Sequence, residues 1–486
     1  MNFQDLQTRP KMKKFSITLF LYFIACVTYA QENNKNYNDA FQLIEVWLDA
    51  QKDFDNIPSI SATVVNDQKT LWTGVFGKSD LEQDKNADIT TTSSICSMTK
   101  SFTAVAIMKL VDAGKLNLED KVKDVLPFYK VKQKFPKGGA VTIRSLLSHA
   151  SGLPSNSGHS YFTGPDFLFP SKEEFRSSIK GLETESEVGA NVKYSNVGYA
   201  LLGEIVEKVS GMPYEVYLMN EVIRPLEMSN TYMGMKVNTQ RQAIGYTAIN
   251  RSRTRNRVNT FQTKAMNPAM GLWTTIDDLA KYASWQFRLR AASKPEILNP
   301  STLKKMHSLE SVGTGYENSW GLGFTVNKDL NGENWVMHGG TCPGYVSMLQ
   351  LNVNTKMGYA IMINANRAST FKYLNGIKQI LSKVKSVPKR TGKLSVNLKE
   401  YTGFYNMNPW NSSVYISTWG EDLVILQLPE NSPKYGMRFF KHIKDDRFKQ
   451  IKENGEFGDE YVFERNKEGK VYRYADGGNY KNKMNK

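Results

Sequence analysis

Residues 94–104 read S-I-C-S-M-T-K-S-F-T-A, which places Ser94, Cys96, Ser97, Lys100 and Ser101 close together. The apolar positions that follow, Val105, Met108 and Val111, recur at helical spacing, and Gly114 is a candidate C-cap. Two readings compete. In the first, the stretch is the polar start of an ordinary helix, where Ser or Thr caps free N–H groups. In the second, Ser97 stands at the helix start with Lys100 three residues on, so both side chains share a face. A serine hydroxyl is a poor nucleophile until something takes its proton. A lysine can take it where burial or a neighbouring cation lowers its pKa. The helix start also favours a developing anion. Taken alone, S-x-x-K is common and the cap is the better reading, so its companions decide.

The first companion is Tyr194-Ser195-Asn196. A phenol held between cations can lose its proton and act as a base; the plainer reading is a buried tyrosine in a loop before a helix. The second is His338-Gly339-Gly340, placed directly after the strand-like N-W-V-M. Glycines beyond a strand let a ligand approach the backbone, and His338 can donate a hydrogen bond or carry charge. The plainer reading is a tight turn with a surface histidine.

In the order S-x-x-K, Y-x-N, H-x-G, the chain resembles the serine β-lactamase-related family of class C β-lactamases, D-Ala-D-Ala carboxypeptidases and esterases. Further stretches carry the likeness: L-L-S-H-A-S-G-L-P at 146–154, A-M-G-L-W-T-T-I-D-D-L-A at 269–280 and W-G-L-G-F at 320–324. The resemblance covers residues 38–385. It implies an α+β, β-lactamase/penicillin-binding-protein-like fold, with an antiparallel sheet flanked by helices beside an all-helical subdomain. It also implies roles. Ser97 is the acylated nucleophile; Lys100 and Tyr194 share the proton work; Asn196 binds substrate or Lys100. The backbone N–H groups of Ser97 and Thr341 form the oxyanion hole, with Gly340 beside them. His338 stands where many β-lactamases carry the lysine of K-T-G, which disfavours strong β-lactam turnover. S-D-N and a class A deacylating glutamate are not evident.

Cys96 and Cys342 flank Ser97 and Thr341, so in this fold they lie near one site. Two buried free cysteines are the expectation, and a bridge is the alternative. His149 and Ser151 suggest a triad, but no G-x-S-x-G occurs, so His149 is read as structural. No H-E-x-x-H and no histidine cluster is present, so neither a metal nor another cofactor is expected.

Outward from the motifs, residues 37–54 read as a helix, S-I-S-A-T-V-V and T-L-W-T-G-V-F-G as a hairpin, residues 335–366 as three strands and 370–384 as a closing helix. One sheet built from both chain ends follows. After V-P-K-R-T-G-K the pattern changes to hairpins such as V-Y-I-S-T-W-G-E-D-L-V-I-L-Q-L. L-K-E-Y-T-G-F-Y-N, at 398–406, resembles the start of the lipocalin-like domain appended to some family members. The expected organisation is a hydrolase domain over 31–386, a linker at 387–393 and a small all-β domain over 394–486.

The chain of 486 residues carries a net charge of +16 and a mean hydropathy of −0.45, which excludes a polytopic membrane protein. No long Lys/Arg run accompanies the charge, so nucleic acid is not an expected partner. Residues 15–30 are apolar, preceded by Lys11, Lys13 and Lys14, which reads as a secretory signal starting at Met1 or Met12 and cleaved after Ala30. A lipid anchor on Cys26 is the alternative. The expectation is a serine hydrolase in the periplasm or on the surface of a bacterium, acting on small esters, amides or D-amino-acid peptides. A β-lactamase or carboxypeptidase, or a non-catalytic binder of cell-wall fragments, is the alternative. An oligomer is possible.

Overall fold

A computed structural model describes residues 37–235, 240–313, 319–385, 396–407 and 411–484. The expected signal, Cys26 and the 387–393 linker lie outside the described residues. The chain forms two compact units. One runs from Lys52 to Leu374; the other joins residues up to Gln51 with those from Asn375 onward.

In the Lys52–Leu374 unit, a sheet is assembled from both ends of the segment. The early strands are β1 (Ser59–Asn66), β2 (Lys69–Asp80) and β3 (Lys85–Asn86). The late strands are β4 (Thr325–Lys328), β5 (Asn334–Cys342), β6 (Tyr345–Asn352) and β7 (Met357–Ile363). Their order is β3-β2-β1-β7-β6-β5-β4, and every pair is antiparallel. The union of chain ends rests on β1 against β7, with Ile60 opposite Ile363 and Val64 opposite Tyr359. β1 is rich in β-branched residues, and β7 contributes Ile361 and Ile363, which suit a buried, pleated surface. The expected two early and three late strands are present, and β3 and β4 extend the sheet at its edges.

Between these strands run α2 (Thr99–Asp112), α3 (Asn196–Ser210) and α4 (Ile276–Ala291), after α1 (residues 37–54). α2 was expected to show one apolar face. It is instead buried on every side from Thr99 to Met108, as befits a core helix whose Thr, Ser and Ala positions admit close neighbours. Gly114, with φ +66, follows its last turn. α4 lies on β1 and β7.

One difference bears on the site. His338-Gly339-Gly340 does not follow a strand. It lies inside β5, which stays in register with β6 from Trp335–Asn352 to Cys342–Tyr345. Pro343-Gly344 then makes the turn, with Gly344 at φ +86.

In the other unit, the eight strands from β8 (Gly403–Met407) to β15 (Asn479–Asn482) pair in chain order. Tyr405 bridges Lys483, and Met484 N–H donates to Phe404 C=O at 2.7 Å, so the last strand returns to the first and the sheet nearly closes as a barrel. Its core is aromatic, with Tyr401, Tyr405, Phe448, Tyr461, Phe463 and Tyr474. The α1 residue Trp47 belongs to this unit, and its indole N–H donates to Glu430 C=O at 2.7 Å. α5 (Thr370–Ser382) brings Gly376 against the same indole, where an added Cβ would stand 2.0 Å from the ring. Gly376→Ala is therefore expected to cost about 1–3 kcal/mol through overpacking, read as a lower thermal or urea midpoint. An unchanged midpoint would contradict this packing.

Candidate active site

Ser97 sits in a turn held from three directions. Ser93–Ser94 pair with Leu272–Thr274. Ile95 N–H donates to Leu272 C=O at 3.1 Å, and the Ser347 hydroxyl donates to Ile95 C=O at 2.8 Å. Cys96 then takes φ +51, a left-handed value unusual for a residue with a Cβ. A 3-10 turn over Cys96–Met98 leads into α2. Ser97 is partly exposed, whereas its neighbours from Thr91 to Lys100 are buried.

Lys100 lies one turn further on and is fully buried. Its Nζ is 3.3 Å from Ser97 Oγ, 2.8 Å from Asn196 Oδ1 and 2.8 Å from Ala269 C=O. No carboxylate pairs with it among the described residues, and burial holds its pKa well below the usual lysine value. A neutral amine has two hydrogens and one lone pair. Asn196 Oδ1 and Ala269 C=O can only accept, so they take the two hydrogens. In the neutral form that burial favours, the lone pair is therefore left for the Ser97 hydroxyl.

Tyr194-Ser195-Asn196 leads into α3, where Ser195 is the N-cap: its hydroxyl accepts from Gly198 N–H at 2.9 Å. The same hydroxyl donates to Pro154 C=O at 2.7 Å, and Asn196 N–H donates to Ser155 C=O at 2.9 Å. Asn196 Nδ2 donates to Asn156 Oδ1 at 3.0 Å, which fixes Oδ1 toward Lys100. Asn156 and Ala269 were not singled out in the sequence. Asn156 comes two residues after L-L-S-H-A-S-G-L-P, and Ala269 opens the stretch 269–280, but neither has a pattern of its own.

The Tyr194 ring centroid lies 4.8 Å from Lys100 Nζ, and its side chain lines the same cavity as Ser97. Burial raises its pKa, outweighing the lowering by the nearby Ser97 hydroxyl. The resting group is therefore a phenol. The phenolate envisaged between cations is not favoured, because burial penalises its charge and also holds the pKa of the neighbouring Lys100 well below the usual lysine value. His149 is structural, yet it adjoins the site. Its Nδ1 accepts from Ser195 N–H at 3.1 Å, and its ring packs on Tyr194 and Trp320 at 4.3 and 4.4 Å.

A cavity of about 510 Å³ opens on Ser97, Tyr194, Asn196, His338, Gly340 and Thr341, with Phe162, Trp320 and Phe371 among its walls. All the expected site residues thus come together here, with Lys100 beneath. β4 pairs with β5 only as far as Met337, so the segment from His338 to Thr341 borders this cavity rather than β4. An added Cβ at Gly340 would stand 2.0 Å from Ile95 C=O, so the glycine lets β5 lie against the turn before Ser97.

His338 is neither on the surface nor charged. It is 2% exposed, and its Nδ1–H donates to Gly339 C=O at 2.8 Å. Burial, with Lys100 nearby, pushes its pKa down to about 3. The cysteine expectation is also overturned: Cys96 and Cys342 form a disulfide, with Cα atoms 5.5 Å apart. No spacing rule pairs two cysteines 246 residues apart. Only the fold brings the start of α2 to the end of β5.

The fold and this constellation define an α+β protein of the β-lactamase and penicillin-binding-protein type. Residues 47–379 match the family described as Beta-lactamase, and the chain belongs to that family. Protein flp of Staphylococcus aureus (strain NCTC 8325 / PS 47) is 28% identical over 335 residues, 68% of this chain and 64% of that protein. The chain thus spans less than two thirds of that relative's length. Among solved structures, the octameric penicillin-binding protein homologue from Pyrococcus abyssi superposes with a TM-score of 0.62 at 24% identity, over 91% of this chain and 99% of that one. The D-amino acid amidase from Ochrobactrum anthropi SV3 gives 0.58 at 23% identity, over 72% and 98%. At these identities the two structures speak to fold alone.

The buried imidazole of His338 carries a stability prediction. An unfolded histidine titrates near pH 6.5, whereas folded His338 takes a proton only at about 3. Between these values the unfolded chain binds a proton that the folded chain does not, so stability falls as pH drops. His149 and His307, also lowered by burial, act in the same direction. At pH 4.5 the His338 contribution is about 2–3 kcal/mol. The urea midpoint should fall less steeply with acid in His338→Gln than in the wild type. Parallel slopes would contradict the assignment.

Proposed function

We propose that this protein is a serine hydrolase that cleaves small esters, amides or D-amino-acid peptides through an acyl-enzyme on Ser97. The observation that supports this best is the buried Lys100, whose two neutral acceptors leave its third position for Ser97 and whose pKa burial lowers. In this reading Lys100 takes the Ser97 proton as Oγ attacks the carbonyl carbon. Tyr194, beside Ser97 in the cavity, relays a proton to the leaving group as a neutral phenol. The backbone N–H groups of Ser97 and Thr341 receive the oxyanion. Water then repeats the attack on the acyl-enzyme.

The walls of the cavity favour uncharged substrates. Its lining contains no Lys, Arg, Asp or Glu among the described residues, and the histidine at the K-T-G position is neutral at pH 7. A β-lactam or a C-terminal D-alanine brings a carboxylate that would need a cation. The β-lactamase or carboxypeptidase reading is therefore second, and a non-catalytic wall-fragment binder third. We also read residues 15–30 as a secretory signal, with Cys26 as an alternative anchor. The Cys96–Cys342 bridge suits an oxidising compartment outside the cytoplasm. The nearly closed C-terminal sheet is read as a lipocalin-like packing module that shapes access or assembly.

Incubation with a fluorophosphonate probe, p-nitrophenyl acetate and a fluorescent penicillin separates these readings. Labelling and ester turnover are expected in the wild type and lost in Ser97→Ala. Lys100→Met should slow acylation by about 10²–10⁴-fold. Wild-type acylation should weaken on the acid side as Lys100 takes up a proton. Turnover that survives Ser97→Ala would overturn the nucleophile; inertness toward all three reagents would favour the binder.

A further inference from the structure

The Cys96–Cys342 disulfide joins two particular places. Cys96 immediately precedes Ser97, and Cys342 immediately follows Thr341. If Ser97 is the nucleophile, the bond links the backbone of the two residues whose N–H groups face the oxyanion. We propose that Cys96 and Cys342 are positioning residues for the reaction, their bond holding the Ser97 turn and the Thr341 edge of β5 at the separation that the oxyanion requires. The proposal rests on the acyl-enzyme reading above.

Four observations carry it. First, Cys96 is strained: a left-handed φ of +51 is unfavourable for a residue with a Cβ and persists only where its surroundings dictate it. That conformation sets the direction in which the chain leaves for Ser97. Second, the hydrogen bonds that tie the turn to its neighbours lie on either side of Cys96 and Ser97, with Leu272 N–H donating to Thr99 Oγ1 at 3.1 Å after them. Leu272 C=O and Ser347 Oγ grip Ile95, and Gly340 lets β5 press on the same residue. The bond is the covalent tie at the next position, one residue from the nucleophile. Third, β5 lacks its β4 neighbour beyond Met337, so its last residues are steadied by β6 on one side only. The Asn366 side chain adds support at Cys342, with Nδ2 donating to Cys342 C=O at 2.8 Å. Fourth, Cys96 and Cys342 are buried, at 0% and 3% exposure. The bridge therefore acts on the backbone and takes no part in binding substrate.

The energetic logic is that of preorganisation. Oxyanion donors work because they stand in place before charge develops. A misplacement of about 1 Å costs on the order of a hundredfold in rate. Ground-state binding draws on the cavity walls at Phe162, Trp320 and Phe371, so loosening the two donors should reach kcat and leave KM nearly alone.

The test replaces both cysteines, Cys96→Ala with Cys342→Ala, so that no lone thiol remains. It is measured well below the melting temperature of the variant, on an ester that the wild type turns over. Three quantities are compared: kcat, KM, and the inhibition constant of phenylboronic acid, whose adduct on Ser97 places an oxygen in the hole. The expected result is a kcat at least about tenfold lower and boronate binding weakened in step, with KM within about twofold. The same comparison is made on wild-type protein reduced with dithiothreitol. There the dithiol is oxidised to its cyclic disulfide as Cys96 and Cys342 become thiols, so a variant that fails to fold does not remove the test. A lower melting temperature with kcat and boronate affinity unchanged would show a mere staple and overturn the proposal. Failure of the wild type to acylate at Ser97 would overturn the acyl-enzyme reading itself, and with it this one.

Discussion

Everything at the site turns on a lysine that is buried without a counter-ion among the described residues. Taking an ammonium out of water is costly unless a carboxylate meets it, and proteins resolve the conflict by pairing or by discharging the group. At Lys100 the partners are an amide oxygen and a backbone carbonyl, both neutral acceptors. They reward an N–H without stabilising a full positive charge as a carboxylate would. A carboxylate in place of Asn196 would keep the lysine protonated and useless as a base. The choice of an amide at that position is thus a statement about charge as much as about shape.

Holding that amide occupies much of the surrounding sequence. Asn196 sits at the first turn of α3 because Ser195 caps the helix, and Ser195 is fixed by Pro154 and His149. Asn196 is turned by Asn156, and its backbone is bound to Ser155. Residues 149–156 and 194–196 are therefore one knitted unit, and Lys100 reads its polarity from their hydrogen bonds. His149, without any contact to substrate, helps set the ring of Tyr194 and the start of α3 together. The aromatic stack of His149 with Tyr194 and Trp320 then closes that side of the cavity.

Much of this was legible in the amino-acid sequence, for identifiable reasons. The hairpin at 59–77, the strands after 334 and the eight-stranded tail announce themselves through alternation and turn residues, which are local signals. Ser97, Lys100, Tyr194, Asn196 and His338 stood out through short spacings that chemistry restricts. What stayed hidden was non-local or environmental. The Trp47–Glu430 bond joins residues 383 apart, and the disulfide joins residues 246 apart. No motif gives the discharge of His338 or the protonated phenol of Tyr194, because both follow from burial. The glycines of H-G-G read as lying beyond a strand because glycine commonly ends strands. Here Gly340 serves instead to bring two backbones together within a continuing strand.

These environmental effects converge on one consequence, a reaction site with little net charge. Burial holds the pKa of Lys100 and His338 down and that of Tyr194 up, and the cavity lining carries no Lys, Arg, Asp or Glu among the described residues. The molecule as a whole carries +16, yet none of that excess lines the cavity among the described residues. In such a site the fixed dipoles of the protein are the polar groups that face a bound molecule. It also makes geometry decisive. In the proposed acyl-enzyme reaction, stabilisation of the oxyanion would come from two backbone N–H groups, whose strength depends on distance and angle. A histidine in place of lysine beside Thr341 and a covalent tie beneath Ser97 are in this sense linked features, one withdrawing long-range attraction and the other securing short-range fit.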